Sequence, residues 1–182
     1  MEGRVHLVLY VPLPPLDEVV DPYRHPGALP AHVTLWAPWS DDCDLSRTDT
    51  AVLRAAQCCP RWHTDFFAVS WFGRRVVMIQ PRTADPFVEL RALLGEPPHP
   101  GGPKERPFVP HVTVATRWPY VHLREAARWA DTHLPVRVPV TDVALARRDH
   151  VAHAWVEICR WALREPSSAV PDPQRDPSPT PG

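Results

Sequence analysis

Two short segments of the chain, residues 32–34 and 111–113, carry the same tripeptide of histidine, valine and threonine. In an extended strand, side chains two positions apart point to the same face, so the imidazole and the hydroxyl of each tripeptide project together. The intervening Val33 and Val112 project to the opposite face and suit a buried core. The candidates for catalysis are therefore His32, Thr34, His111 and Thr113.

Two imidazoles on opposite sides of a bound group, each with a hydroxyl beside it, suit an in-line displacement at phosphorus. One imidazole removes a proton from the attacking oxygen, and the other protonates the leaving oxygen. Histidine suits both roles because its unperturbed pKa lies near neutrality. The threonine hydroxyls can donate hydrogen bonds to the non-bridging phosphate oxygens as charge develops on them.

The match between the two segments extends beyond the tripeptide. Residues 31–39 and 110–118 align without gaps, and both end in tryptophan. Each segment is followed by an amphipathic helical pattern and then by an extended pair, which indicates a repeated structural unit. If a pseudo-two-fold relates the two units, both histidine–threonine pairs face one cleft.

Hydrophobic periodicity predicts the elements that must position these residues. The fold class expected is α+β, with largely antiparallel sheets and helices outside. Residues 12–30 and 95–107 are rich in proline and glycine and are predicted to be loops, the first with room for one helical turn. The predicted strands are 4–11, 32–39, 62–72, 75–80, 109–118 and a closing pair, 136–147 with 152–163, and the predicted helices are 44–57, 86–94 and 123–134.

Composition limits the classes of function and the place of action. The chain has 182 residues and a net charge of −1, so bulk charge does not mark it as a nucleic-acid binder, and a basic site must be local. Four cysteines without a Cys-x-x-Cys pair indicate reduced thiols, and no signal peptide or membrane span is predicted. We expect a cytoplasmic protein with one domain of two pseudo-repeats over 1–163 and a disordered Pro-rich tail over 164–182.

The sequence resembles the two-histidine (2H) phosphoesterases, also called the 2′-5′ RNA ligase-like family, whose signature is a pair of His-x-Thr/Ser motifs. His32 and His111 are separated by 79 positions, a spacing similar to that of the family. The flanks are also similar over residues 29–39, in the hairpin sequence 71–77, and in the lead-in 106–111. The resemblance covers roughly residues 4–163.

The resemblance implies a bilobal α+β fold, with two pseudo-symmetric antiparallel-sheet lobes and outer helices around a central cleft. It also implies that no cofactor is needed. We further expect a monomer that needs no metal and has no obligate protein partner. The implied substrates are 2′,3′-cyclic phosphates or 2′-5′ phosphodiesters of nucleotides or RNA ends. By the same resemblance, His111 is the general base on water, His32 the general acid on the leaving ribose oxygen, and the two threonines hold the phosphate.

Other residues are candidates for binding the substrate, and each has an ordinary structural alternative. Arg106 leads into the second motif and could hold a phosphate. Tyr10 could line the cleft and Trp36 could stack a base, but core packing explains both equally well. The predicted substrate-binding residues are Arg106, Tyr10, Trp36, Phe72 and Phe108.

Two further functions stay open at this point. A binding module for nucleotides or RNA ends would keep the same cleft without turnover. A zinc hydrolase would need a third protein ligand beside His32 and His111, and no spacing in the sequence recommends one. The chain has no His-Glu-x-x-His, Walker, Gly-x-Ser-x-Gly or Gly-x-Gly-x-x-Gly motif.

Overall fold

The structure, a computed structural model, describes residues 6–40, 45–95 and 107–166, which form eight strands and four α-helices. Two 3-10 turns, Pro14–Leu16 and Asp21–Tyr23, flank the first helix. The strands are β1 (His6–Pro12), β2 (His32–Ser40), β3 (Trp62–Phe72), β4 (Val76–Pro81), β5 (Val112–Thr116), β6 (Val136–Val140), β7 (Asp142–Asp149) and β8 (Ala154–Ala162). The helices are α1 (Asp17–Val20), α2 (Leu45–Cys58), α3 (Asp85–Leu94) and α4 (Tyr120–His133).

All eight strands belong to one sheet with the order β6-β3-β4-β5-β2-β1-β7-β8, and neighbouring strands are antiparallel. We call β2, β1, β7 and β8 the first half-sheet, and β5, β4, β3 and β6 the second half-sheet. The two halves meet at a single residue pair, Val33 with Val112. The predicted α+β class with antiparallel pairing is confirmed, whereas the division into two lobes stays an expectation.

The helices cover one face of the sheet. Buried residues of α2, α3 and α4, such as Val52, Leu90 and Ala126, belong to the same main core as Val33 and Val112. This arrangement follows from burial of the apolar stripe that each helix carries. Because His32 and Thr34 flank a core-facing valine, they point to the face that these helices leave uncovered.

The opposite face of the first half-sheet is covered by the chain itself. Leu29 packs with Val8 and Tyr10 of β1 in a second, smaller apolar cluster. The carbonyl of Gly27 accepts hydrogen bonds from the backbone of Trp155 and from Arg148. Gly27 has φ +73°, and a Cβ there would lie 2.4 Å from the carbonyl oxygen of His153, so only glycine allows this close approach.

The predicted closing strand pair, 136–147 with 152–163, is wrong in its first half. Residues 136–147 form two strands separated at Thr141, and only β7 pairs with β8. β6 instead pairs with β3 at the far edge of the second half-sheet. Pro139 of β6 has no backbone N–H to donate. It is tolerated there because an edge strand forms hydrogen bonds with a neighbour on one side only.

Several other boundaries differ from the sequence prediction. The strand predicted over 109–118 is confined to Val112–Thr116, and Arg117 follows it with φ +61°. The segment 12–30, predicted as a loop with room for one helical turn, contains α1 and the two 3-10 turns. Within the described residues, no helix is both long enough and apolar enough to cross a membrane.

The chain remains bound to the body of the protein just beyond β8. Leu163 is buried, and the backbone N–H of Arg164 donates to the carbonyls of Ala56 and Cys59. Arg61 forms an ion pair with Glu165. Residues 164–165 therefore pack on the body of the protein, and the rest of the predicted tail, 167–182, lies outside the described residues.

Candidate active site

The two His-Val-Thr motifs meet at the centre of the sheet. Val33 pairs with Val112, and both valines are buried in the main core. In an antiparallel pair the flanking residues are matched crosswise, so His32 lies toward Thr113 and Thr34 lies toward His111. The register therefore places a histidine and a threonine from different half-sheets on each side of the junction.

Both imidazoles are oriented by the same local hydrogen bond. His32 Nδ1 lies 2.7 Å from the carbonyl oxygen of Pro30, and His111 Nδ1 lies 2.8 Å from that of Val109. A carbonyl oxygen only accepts, so Nδ1 must carry the proton in each ring. In each case Nε2 remains the nitrogen that can exchange a proton with a substrate.

Each motif also contains a β-bulge at the same position. In the first half-sheet Thr34 pairs with Tyr10 and Trp36 with Leu9, which leaves Leu35 as the extra residue. In the second half-sheet the extra residue is Val114, because Thr113 and Ala115 pair with consecutive residues of β4. A bulge reverses the alternation of the following side chains. The two units that the sequence predicts as a repeat therefore share this β-bulge as well.

The bulge explains where the structure places Trp36. Its side chain is 2% exposed and belongs to the main core, on the helix-covered side of the sheet. The structure therefore separates this predicted substrate-binding residue from His32 and Thr34. The side chain of Trp39, the other aromatic of the first motif, lies outside the described residues.

Burial sets the proton affinity of His32. Loss of solvent lowers the pKa of His32 from its ordinary value, and the nearby charge of His111 lowers it further. The carbonyl of Pro30 and the carboxylate of Asp17 act in the opposite direction. Because the two imidazoles repel each other's charge, the pair disfavours carrying two positive charges at once.

Tyr10 contacts His32 but is itself buried. The ring centroids lie 5.4 Å apart in an edge-to-face arrangement, and Tyr10 is 2% exposed. The phenol donates to Glu157 Oε2 at 2.9 Å, and that carboxylate is also bound by Arg160. Burial, together with the negative charge of Glu157, raises the pKa of Tyr10 above its usual range. The structure thus places Tyr10 behind His32 as a packing partner.

The remaining predicted binding residues occupy different places. Phe72 is exposed at the end of β3. Phe108 packs against the main core, and the guanidinium of Arg91 lies 4.6 Å from its ring centroid. Arg106 lies outside the described residues. Of these three residues, only Phe72 presents an aromatic surface on the same face of the sheet as Thr113. The residues of β4 with which Phe72 and Thr113 pair are two positions apart, and they therefore point to the same face.

A cavity of about 150 Å³ reaches His32 and Thr113. One wall is the segment 20–30, which contributes Tyr23, Arg24 and His25, and the other wall is β5 up to Thr116. His25 is fixed there because its Nε2 lies 2.7 Å from the carbonyl oxygen of Thr116. The sequence predicts the segment 12–30 as a loop with room for one helical turn and offers Arg24 as a phosphate contact, but Tyr23 and His25 are missed by that prediction.

A charge pattern in the sequence could have indicated these residues. Three segments build the site, 22–40, 66–84 and 107–124, and none of them contains an acidic residue, although the chain has 21 in all. The same segments carry several arginines, including Arg24, Arg74 and Arg117. The site is therefore locally basic in a protein of net charge −1, which favours an anionic ligand.

The described side chains offer no group of ligands that would favour a bound metal. Over residues 6–40, 45–95 and 107–166, no three histidine, cysteine, aspartate or glutamate side chains are grouped as metal ligands. The polar groups that the register brings together are instead two imidazoles and two hydroxyls. These are groups for proton transfer and for hydrogen bonding to an oxyanion.

One family model matches most of the chain. A sequence model described as the 2′-5′ RNA ligase superfamily matches residues 12–152. A comparison with curated protein sequences gives no match.

Solved structures share the fold at low sequence identity. Escherichia coli LigT in complex with ATP has a TM-score of 0.60 at 20% identity, covering 89% of this chain and 99% of LigT. LigT in complex with 3′-AMP gives 0.58 at 19%, covering 90% and 100%. The protein TT0787 of Thermus thermophilus gives 0.60 at 19%, covering 88% and 98%. At these identities the likeness concerns the fold.

Proposed function

Because the chain belongs to the 2′-5′ RNA ligase superfamily of two-histidine phosphoesterases, we propose that it hydrolyses 2′,3′-cyclic phosphate or 2′-5′ phosphodiester bonds of nucleotides or RNA ends. The reaction uses His32, Thr34, His111 and Thr113 and requires no metal. One observation carries the proposal: two imidazoles with the same Nδ1 anchor belong to motifs that meet crosswise at Val33 and Val112.

The proposed reaction is an in-line hydrolysis. The oxygen of a water molecule bonds to phosphorus while the bond between phosphorus and a ribose oxygen breaks. The proton of that water passes to Nε2 of His111, and the Nε2 proton of His32 passes to the leaving ribose oxygen. Thr34 and Thr113 donate hydrogen bonds to the non-bridging oxygens. Solvent exchange then returns the histidines to their starting protonation states.

The protonation state needed for this reaction has one positive charge on the pair, with the extra proton on Nε2 of His32. Mutual repulsion between the imidazoles opposes a second positive charge, and the Nδ1 anchors leave both Nε2 atoms free to exchange a proton. The low pKa of free His32 opposes its role as the acid, but a phosphodiester anion bound beside it raises that pKa. The direction of transfer rests on the resemblance and needs its own experiment.

Nucleotides are the ligands suggested by the structural neighbours. The LigT structures are complexes with ATP, with 3′-AMP and with NADP+. The locally basic segments around the site support an anionic ligand for this chain as well. We propose that the protein acts as a monomer in the cytoplasm. In the described part of the chain, Cys58, Cys59 and Cys159 are free thiols, which supports a reducing location.

The activity is tested with the four nucleoside 2′,3′-cyclic phosphates and a 2′-5′-linked dinucleotide, each in the presence of EDTA. We expect turnover that EDTA leaves unchanged, and chromatography of the products identifies the bond that is cleaved. Ligand binding without turnover of any substrate would favour a binding module. Loss of activity with EDTA and its return with zinc would favour a metallohydrolase.

A further inference from the structure

A single peptide unit connects His32 to a carboxylate. The carbonyl of Pro30 accepts from His32 Nδ1 at 2.7 Å, and the N–H of the same peptide unit, which belongs to Ala31, donates to Asp17 Oδ1 at 2.7 Å. In a planar trans peptide the C=O and the N–H point in opposite directions. The carboxylate, the peptide and the imidazole therefore form a continuous series of hydrogen bonds, which we call the Asp17 link.

The Asp17 link is held by buried structure on the side away from the imidazole. Asp17 begins α1, and the preceding Leu16 is buried in the main core. The carbonyl of Ala31 accepts from the N–H of Leu13 at 2.8 Å, so both backbone polar groups of Ala31 bond to the same short segment. Ala31 is itself buried. The peptide that orients His32 is thus fixed before any substrate binds.

The second motif has no counterpart of this link. His111 Nδ1 makes the corresponding bond to the carbonyl of Val109 at 2.8 Å. The next residue is Pro110, whose nitrogen carries no hydrogen, so no carboxylate can accept from that peptide unit. Residues 107–124 also contain no acidic residue. The two motifs match in their side chains but differ in this one backbone donor.

A carboxylate at one end of a peptide unit changes the other end. Hydrogen bonds in series polarise one another, so a negative charge on the N–H side makes the carbonyl a stronger acceptor. A stronger acceptor at Nδ1 holds the ring and stabilises its protonated form. Burial and the charge of His111 lower the pKa of His32, whereas the charge of Asp17 acts to raise it. Asp17 therefore offsets part of the cost of charging a buried imidazole.

We propose that Asp17 is a positioning residue of the active site, which acts through the Pro30–Ala31 peptide to make His32, and not His111, the histidine that carries the positive charge. Its effect on the imidazole is a property of the free protein. Its effect on the rate rests on the proposed function, in which His32 is the general acid.

Other charged or titratable groups surround His32 but do not bond to this peptide. They come from β1, β8, the second motif and the cavity wall, and they are Tyr10, Glu157, Arg160, His111, Arg24 and His25. Arg24 approaches Asp17 Oδ1 to 3.9 Å, but its closer partner is Asp21, at 3.0 Å. A change at Asp17 therefore leaves Arg24 its nearer carboxylate.

The first test follows the titration of the His32 ring by NMR without substrate, in wild type, Asp17→Asn and Asp17→Ala. Asparagine keeps an oxygen that can accept from Ala31 but removes the charge. We expect the midpoint of His32 to fall by up to about one pH unit, the low end of the effect of a carboxylate in direct contact. Asp17→Ala, which removes the acceptor as well, should lower it at least as far. The midpoint of His111 should change little, and His32→Gln assigns the signal.

Two neighbouring carboxylates provide the controls. Asp21→Asn removes the closer partner of Arg24, and Glu18→Gln removes an exposed charge from the same helix. Both should leave the midpoint of His32 near the wild-type value. Equal midpoints in wild type and in folded Asp17→Asn and Asp17→Ala would overturn the proposal and leave the proposed hydrolysis intact. An equal fall in either control would also overturn it, because the general field of α1 would then be the cause.

The second test uses the pH dependence of kcat/KM on a cyclic mononucleotide. In Asp17→Asn the alkaline limb should move to lower pH, because the acid then loses its proton earlier. On that limb the rate should fall by up to about tenfold, since a midpoint lower by one pH unit leaves a tenth of the protonated acid. A lower melting temperature with both limbs unmoved would make Asp17 a purely structural residue and overturn the proposal. A lower His32 midpoint in Asp17→Asn, with no turnover of any substrate by wild type, would support the Asp17 link and refute the proposed hydrolysis.

Discussion

The two half-sheets carry the same motif in different surroundings. Tyr10 of β1 pairs with Thr34, and Met78 of β4 pairs with Thr113, so these two residues occupy corresponding positions. Tyr10 contacts His32 and reaches Glu157 through its hydroxyl, whereas Met78 has no hydroxyl to offer. Two nearly identical motifs therefore have different environments, because different side chains occupy the paired positions on the neighbouring strands.

The two half-sheets also differ in how far the chain itself covers the face that carries the motifs. The segment 24–31 lies over the first half-sheet and supplies the Pro30 carbonyl that anchors His32. The second half-sheet carries the exposed ring of Phe72 at the end of β3. The first half-sheet is therefore covered beside its motif, whereas the second is open at this end.

The largest effect should come from removing the two imidazoles. We expect His32→Ala and His111→Ala each to lower kcat by about 10² to 10⁴, as is usual for a general acid or base. The double variant should be little worse than either single one, because the two groups act as a unit. Steady-state rates on a cyclic mononucleotide measure this, with exposed His63→Ala as the control.

The threonines should matter less than the histidines. Thr34→Ala or Thr113→Ala removes one neutral hydrogen bond, which corresponds to a decrease of roughly threefold to tenfold in rate. A threonine variant as slow as His32→Ala would mean that phosphate binding dominates over proton transfer. Wild-type rates in both single histidine variants would refute the two-histidine mechanism.

A substrate with an activated leaving group distinguishes the roles of the two half-sheets. Such a substrate no longer needs an acid, so it should restore much more activity to His32→Ala than to His111→Ala. The measurement is the ratio of rates on a p-nitrophenyl ester and on the natural diester for each variant. The reverse pattern would assign the acid to His111, as the low pKa of free His32 alone would suggest.

Tyr10 tests whether the packing behind His32 matters. Tyr10→Phe keeps the ring against His32 but removes the hydrogen bond to Glu157, and we expect kcat to fall by roughly threefold to tenfold. Glu157→Gln should have a similar effect, and Tyr10→Leu a larger one because no ring then packs against the imidazole. Met78→Leu, at the corresponding position of the second half-sheet, is the matched control.

A purely structural role for Tyr10 predicts a different outcome. In that case Tyr10→Phe would change the melting temperature but leave the shape of the pH–rate profile unchanged. If Tyr10 positions His32, the limb of the profile that belongs to His32 should move in Tyr10→Phe and stay in place in Met78→Leu. The profile of kcat/KM against pH, measured for the free enzyme, separates the two roles.

The sequence alone predicts those parts of the site that depend only on the alternation of side chains along a strand. Alternation along β1 predicts that Leu7, Leu9 and Val11 share one face, and all three lie in the main core. The two His-Val-Thr motifs follow from the same rule, because each valine takes the core side and leaves its neighbours on the other.

Local patterns could not give the parts that depend on distant pairing. Trp36 lies in the core because Leu35 bulges against β1, and no periodicity in β2 signals that extra residue. β6 crosses to β3 because its alternate valines complete the second half-sheet, although β7 is its neighbour in sequence. The cavity wall at Tyr23 and His25 depends on where the segment 12–30 folds back, which proline content does not determine.

The pH dependence of stability should also come from the first half-sheet. The pKa of His32 is lower in the folded protein than its ordinary value of 6.5, so the unfolded chain binds that proton more tightly. The stability contributed by neutral His32 is complete above about pH 6.5 and is lost as the pH falls toward the folded pKa. Urea unfolding near pH 7.5 and pH 5.5 should therefore show a larger decrease in stability in wild type than in His32→Gln. Equal decreases would mean that His32 retains an ordinary proton affinity.

The smallest effects should come from shortening the C-terminus, which follows β8 and bonds to the end of α2. Arg164 donates its backbone N–H to Ala56 and Cys59 and accepts from Arg61, whereas residues 167–182 contain almost no apolar side chains. Deleting 164–182 removes these bonds and the ion pair of Arg61 with Glu165, and the melting temperature should fall by a few degrees. Deleting only 167–182 should leave the melting temperature and the activity at wild-type values, because such a segment cannot offset the entropy of ordering it. Calorimetry on the two truncated proteins measures the difference, and an equal decrease in both would place a stabilising contact beyond Pro166.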